Sequence, residues 1–301
     1  MSAAREPATT RADATVPAGA RAGAAGRAVP EIRLDEVGFV YPDGTRALRS
    51  ISLAIPPGSG VAIVGENGSG KSTLLRHLDG LLRPTEGRIL LDGHDTRRVP
   101  VETLAASVGL AFQDPDLQIF AERVDDEVSF GPRNLGLSGD PLTAAVHEAL
   151  QAVGLERLEA ANPFNLGYSR RKLVALASVL AMRVPVLALD EPTTGQDGPG
   201  LARVVAVVRG AIAEGRTVIA TSHDMRFVAE TFPRVVVLRA GRVVADGSPA
   251  EVFAPGNAEL LRSTHLEPPP AARVGAAFGL GSTPTEDALL AALRERARSG
   301  S

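Results

Sequence analysis

Residues 60 to 73, GVAIVGENGSGKST, constrain what this chain can fold into more than any other stretch. A short apolar run leads into a glycine-rich loop, and KSTLLRHLDGLL beyond it places apolar residues at helical spacing. The loop fits the pattern GxxxxGK[ST] from Gly65 to Ser72. Between a buried strand and a helix, such a loop curls successive backbone N–H groups around phosphate oxygens, and the helix N-terminus adds about half a positive charge. Gly65, Glu66, Asn67, Gly68, Ser69 and Gly70 form this cradle, with Thr73 beside it in the first helical turn. Lys71 is placed to neutralise the β and γ phosphates of a nucleotide, and Ser72 to ligate Mg2+. Lysine occurs in this arginine-rich chain only at positions 71 and 172. A compact ammonium suits the cradle better than a planar guanidinium, and the second lysine is worth locating for the same reason.

Further along, VPVLALDEPTTGQD reads as a strand that delivers Asp190 and Glu191 at its C-terminal end, where open α/β sheets gather their ligands. Asp190 would hold Mg2+ through water, and Glu191 would polarise an attacking water. IATSHD ends the next strand with His223, within reach of a γ phosphate if that strand neighbours the one carrying Asp190. His77, His94, His147 and His265 fall on helices or loops without such placement and are expected to be structural or solvated. Gln113 ends the strand SVGLAF, where its amide could touch Mg2+ and the water. Tyr41, in a hairpin before the phosphate loop, could stack on adenine or be a half-buried strand tyrosine.

The 301 residues suffice for one large α/β domain with appendages. EIRLDEVGFVYPDGTRALRSISLAI alternates apolar and polar residues around Asp43-Gly44, a strand–hairpin signal that starts the folded domain at residue 31. Strands then alternate with helices, which argues a mostly parallel sheet covered on both faces, with a helical subdomain inserted over residues 115–181. Residues 1–30, rich in Ala and Arg without a continuous apolar core, are expected to be a disordered tail rather than a secretory signal. Residues 255–301 read as a linker stiffened by three prolines and a capped helix from Thr285. No apolar run reaches the roughly 18–20 residues needed to span a bilayer. With a net charge of −3 and no long basic face, nucleic-acid binding has no support. The chain has no cysteine, so thiolate chemistry is excluded.

The order Tyr41, phosphate loop, Gln113, helical stretch, Asp190-Glu191, Asp197 and His223 resembles the ATP-binding cassette (ABC) ATPases over residues 31–254. More narrowly, AFQDPDLQIFAERVDDEVSFGPRNLGL and DEPTTGQD resemble the ATPases of energy-coupling factor (ECF) transporters, importers of cobalt, biotin and other vitamins, and LEPPPAARVGAAFGL is similar to the start of their C-terminal extension. The resemblance implies a P-loop NTPase fold with a mostly parallel core, an antiparallel β subdomain and the helical insert. It also implies ATP as ligand, with Asp197 among the nucleotide-site residues, and two cassettes closing head to tail around two nucleotides. The partners it implies are a second ABC ATPase subunit, identical or not, an integral membrane coupling subunit docked near Gln113, and a substrate-binding membrane subunit. The chain would then sit peripherally on the cytoplasmic side of the cell membrane. A soluble ABC ATPase of DNA repair or translation is the alternative from another class, but neither long heptads nor a second cassette is visible; a regulatory half of an asymmetric pair would commonly lack Glu191.

One stretch departs from the family pattern. Aligned without gaps from Asp190 backwards, the family's LSGGQ falls on Leu166, Gly167, Tyr168, Ser169 and Arg170. A clamp on the partner's γ phosphate needs N–H groups and a hydroxyl at a helix N-terminus. GYSRRK still begins a helical pattern and still offers Ser169. Arg170 could bind phosphate oxygens directly, or the cations could simply line the subunit surface.

Overall fold

In the computed structural model, which describes residues 28–299, the chain opens with β1 (Ile32–Val40), β2 (Arg46–Ile55) and β3 (Gly60–Gly65), then α1 (Lys71–Leu78). Next come β4 (Glu86–Leu91), β5 (His94–Asp95), α2 (Val101–Ala105) and β6 (Val108–Ala111). The inserted helices are α3 (Val124–Asn134), α4 (Gly139–Ala152) and α5 (Tyr168–Ala181), after which β7 (Val186–Leu189) returns to the sheet. The chain continues through α6 (Gly198–Ala213), β8 (Thr217–Thr221), α7 (Met225–Thr231), β9 (Arg234–Arg239) and β10 (Arg242–Gly247). It closes with α8 (Pro249–Val252), α9 (Ala258–Ser263), α10 (Pro270–Ala277) and α11 (Glu286–Ser299). The tail expected to be disordered lies, but for residues 28–30, outside the described residues.

Two sheets form. The first is antiparallel in the order β2-β1-β4-β5, and its hairpin turns at the predicted place. There Gly44 takes φ 86°, and Asp43 Oδ1 accepts from Thr45 N at 2.9 Å. The second sheet runs β10-β9-β3-β8-β7-β6; all its pairs are parallel except the terminal β9–β10 hairpin. Its central strands are buried on both faces, which is why GVAIVG and VLAL are continuous apolar runs rather than alternating ones. The period of two still sorts their contacts. Val61 and Ile63 pack with α1 and the antiparallel sheet, whereas Ala62 and Val64 pack with the helical side.

Within residues 255–301, the three prolines expected to stiffen a linker are used differently in the structure. Pro269 and Pro270 start α10 instead, because a fixed φ and a missing N–H are harmless at the first position of a helix. Leu261, Leu266 and Ala272 join the larger core, so the extension is packed against the domain rather than held away from it.

Candidate functional site

β3 ends in the phosphate loop, and two glycines make the loop possible. Gly65 takes φ 152°, and a Cβ there would meet the Leu238 carbonyl at 2.2 Å; Gly70 takes φ 103° and would meet the Ala47 carbonyl at 2.6 Å. Only glycine satisfies both conditions. The loop carries Lys71 into the first turn of α1, where its Nζ donates to the carbonyls of Gly65 (2.8 Å) and Glu66 (3.0 Å). Burial lowers the pKa of Lys71 from its ordinary value, opposed by the nearby carboxylates of Glu191, Asp190 and Glu66.

The strand condition set for His223 is met: β8 lies directly beside β7 and separates it from β3. Asp190 leaves β7 almost fully buried, and its Oδ1 accepts from Ser72 Oγ at 2.9 Å and from Thr221 Oγ1 at 2.7 Å. The Thr221 hydroxyl in turn accepts from Glu191 N at 2.9 Å. Glu191 has a left-handed backbone, φ 49°, which turns its carboxylate toward His223; Oε2 lies 2.8 Å from His223 Nδ1 and accepts from Thr194 Oγ1 at 3.3 Å. Non-glycine residues in that region are sparse and cluster at functional sites.

Lys71, Ser72, Glu191 and His223 border a cavity of about 1100 Å3, with Asp190 and Thr221 buried behind its wall. It is lined by Tyr41, the loop from Gly65 to Thr73 apart from Ser69, Gln113, Glu191 and His223. Ser69 is buried and works through its backbone, accepting from Gly241 N at 3.1 Å. Tyr41 and Phe39 pack edge to face with centroids 4.8 Å apart, and the Tyr41 hydroxyl meets Thr73 Oγ1 at 3.0 Å, which fixes the ring at the cavity wall. Gln113 is exposed, and the segment after it is anchored by Gln118, whose Nε2 donates to the Ala175 carbonyl of α5 at 2.8 Å. The donor set beside the loop, a hydroxyl from Ser72, a carboxylate from Asp190 and an amide oxygen from Gln113, is all hard oxygen. It suits Mg2+ carried in with phosphate rather than a cage made wholly of protein.

The signature residues are not brought into this cavity. Gly167 is the exposed N-cap of α5, Arg170 is exposed, and Ser169 Oγ donates to Gln196 Oε1 at 2.8 Å. Asp197 caps α6, accepting from Gly200 N at 2.8 Å. Of the neighbouring cations, Arg171 Nη1 donates to the Leu166 carbonyl at 3.0 Å and its guanidinium pairs with Asp116. Lys172 is buried, with Nζ donating to the Glu191 carbonyl.

Three features escaped sequence reasoning. Thr221 closes the apolar strand TVIAT with no local signal of a role; its position opposite Asp190 follows from the β7–β8 register, in which Leu189 pairs with Ala220. Lys172 was flagged by its rarity, but its partner lies on another element. His265, expected to be structural or solvated, meets Glu66 Oε2 at 2.8 Å, so the start of the C-terminal extension lines the cavity together with Leu266, Glu267 and Arg273.

Comparison with known proteins agrees with this geometry. The family model for ABC transporters matches residues 48–194. The energy-coupling factor transporter ATP-binding protein EcfA of Methanothermobacter thermautotrophicus is 40% identical over 240 residues, covering 79% of this chain and 76% of that protein. EcfA of Methanocaldococcus jannaschii is 40% identical over 233 residues, 77% of this chain and 83% of that one. Among solved structures, cbiO1 from Clostridium perfringens, part of the ABC transporter complex cbiONQ, superposes with TM-score 0.68 at 36% identity, covering 84% of this chain and 99% of that chain. A dimeric ATP-binding cassette in a post-hydrolysis state with ADP and Pi superposes with TM-score 0.67 at 26% identity, covering 72% of this chain and 98% of that chain. The chain is therefore an ATPase, and it belongs to the ABC transporter family of ATP-binding proteins.

Proposed function

We propose that this chain is the energy-coupling ATPase of an ECF-type importer, peripheral on the cytoplasmic face of the membrane. ATP-dependent closure of a two-cassette dimer would drive uptake of a micronutrient, a vitamin or a transition-metal ion. The observation that carries the reading is the separation within one chain between the cavity and the Gly167-Ser169-Arg170 surface. A half-site whose hydroxyl and cations sit elsewhere on the same subunit is completed by a second subunit that brings its own copy of that surface, or its equivalent.

In that assembly the phosphate loop and Lys71 bind and orient the triphosphate. Tyr41 offers its ring face to the base. Glu191 accepts a hydrogen bond from the attacking water, and His223, whose Nδ1 meets Glu191 Oε2, holds that carboxylate and reaches the γ phosphate. Ser72, Asp190 and Gln113 would hold Mg2+, which when bound neutralises the phosphate oxygens. Asp190 begins this work already oriented by Thr221.

This chain offers a surface on which the membrane partner would dock. Leu117, Phe120 and Phe130 are exposed beside the Gln113 segment, and the two phenylalanines pack edge to face with centroids 4.7 Å apart. Glu127 fixes this loop, accepting from the N–H groups of Phe120 (3.0 Å) and Ala121 (2.9 Å). Exposed aromatics held in place suit a helix docking from a membrane subunit. Among the described residues no helix is long and apolar enough to cross a membrane, so attachment would be through partners. The test is detergent extraction from the native host with a tagged chain. Recovery with an integral membrane protein, lost on Phe120→Asp, is the expected result; a chain that never co-purifies with one contradicts the assignment.

A further inference from the structure

Lys172 is the fifth residue of α5 and one of the chain's two lysines. It is 5% exposed, far more enclosed than Arg170 beside it, and its ammonium points into the protein. An isolated buried ammonium is strongly unfavourable, so its surroundings must favour the charge. Its Nζ donates to the carbonyl of Glu191, and the negative charges of Glu191, Asp190 and Asp114 lie around it. The peptide it grips belongs to a residue with φ 49°, a backbone state that a glutamate does not prefer. From the other side the same residue is held through its N–H by Thr221. Glu191 is thus clamped at both ends of its backbone, and the product of the clamp is the direction of its carboxylate toward His223 and the cavity.

We infer that Lys172 is a positioning residue for ATP hydrolysis, holding the left-handed Glu191 backbone from α5 and so linking the aim of that carboxylate to the helix that presents Ser169 and Arg170 on the subunit surface. The inference rests on the reading of Glu191 as the group that activates water. It gives the second lysine a task that arginine or methionine would not do equally: a flexible chain with a compact head fits into the core and still brings several donors to one carbonyl. It also supplies a physical route between sites, because a push on the N-terminus of α5 by a partner's nucleotide is transmitted to the backbone of Glu191 in this chain's own half-site. Burial brings the Lys172 pKa down to about 8, with the nearby carboxylates opposing the shift, so the charge is still present at neutral pH.

The experiment compares steady-state turnover of the full chain, with whatever subunits its activity requires, for wild type, Lys172→Met, Lys172→Arg and Glu191→Gln. In Lys172→Met, kcat is expected to fall about 10- to 100-fold, a partial loss of the roughly 10²–10⁴ that general-base assistance supplies. The KM for ATP stays within about twofold of wild type, and Lys172→Arg, which keeps a donor, recovers part of kcat. A folded Lys172→Met enzyme with wild-type kcat, or one that loses only KM, overturns the inference. Should the methionine variant not fold, Lys172→Gln carries the same comparison. If Glu191→Gln itself leaves turnover unchanged, the reading of Glu191 is what fails; if Glu191→Gln is inactive and Lys172→Met is not, the positioning role alone fails.

Discussion

Replacing Thr221 with valine removes one oxygen from the middle of the site while nearly conserving shape. That hydroxyl is fully buried, donates to Asp190 Oδ1 at 2.7 Å and accepts from Glu191 N at 2.9 Å. The valine methyl can do neither. Leaving the Glu191 N–H buried and unpaired costs about 1–3 kcal/mol, and a hydrogen bond to a charged carboxylate is worth about 1.5–3 kcal/mol. Because Ser72 still donates to the same Asp190 oxygen at 2.9 Å, the second loss is partly relieved. The expected cost is therefore about 2–4 kcal/mol, a large share of the roughly 5–15 kcal/mol that keeps a domain folded. Urea unfolding should show it as a midpoint lowered by about 0.7–4 M, given a slope of about 1–3 kcal/mol/M. Thr221→Ser, which keeps the oxygen, should lose about 1 kcal/mol or less. A valine variant as stable as the serine variant would refute the bridging role of this hydroxyl.

Two further substitutions probe other parts of the account. Asp79 is buried at the end of α1, accepts from Leu81 N at 3.0 Å, and burial pushes its pKa up to about 6 from 3.8. Since the folded value is the higher one, its contribution to stability is intact below about pH 4 and is lost as pH rises through 6, at a cost of up to about 3 kcal/mol. Asp79→Asn should therefore melt above wild type at pH 7.5, with the gap closing toward pH 4; equal melting at pH 7.5 contradicts the assignment. At the N-terminus of α5, the combined Ser169→Ala and Arg170→Ala variant should lose about 10²–10³ in turnover, the worth of a donor aimed at developing charge. It should leave nucleotide binding to the isolated chain unchanged, and full activity would make this stretch plain surface.

Where chemistry dictates residue type at fixed spacing, the sequence was readable. The phosphate loop, the carboxylate pair after VLAL and His223 after IATS each sit at a strand end, and strand ends follow from the burial pattern alone. What could not be read is contact between distant segments. Thr221 and Asp190 meet through a parallel register, Lys172 and Glu191 through a contact between α5 and the turn that follows β7, and His265 and Glu66 across 199 residues. Local rules also have two outcomes in one case: consecutive prolines stiffen a linker, but they equally start a helix, and Pro269-Pro270 do the latter because Ala271 and Ala272 have a core to pack on. The signature departure was visible as a departure, whereas the division of its three cations between surface, Asp116 and the Glu191 carbonyl needed the fold.

The central claim is that Glu191 converts a nucleotide-binding half-site into a hydrolytic one. The most direct measurement is single-turnover hydrolysis by Glu191→Gln, with bound ATP quantified in the same samples. The account predicts ATP bound as tightly as in wild type, cleavage slowed by about 10² to 10⁴, and a dimer that persists while ATP remains. Cleavage at the wild-type rate would contradict it.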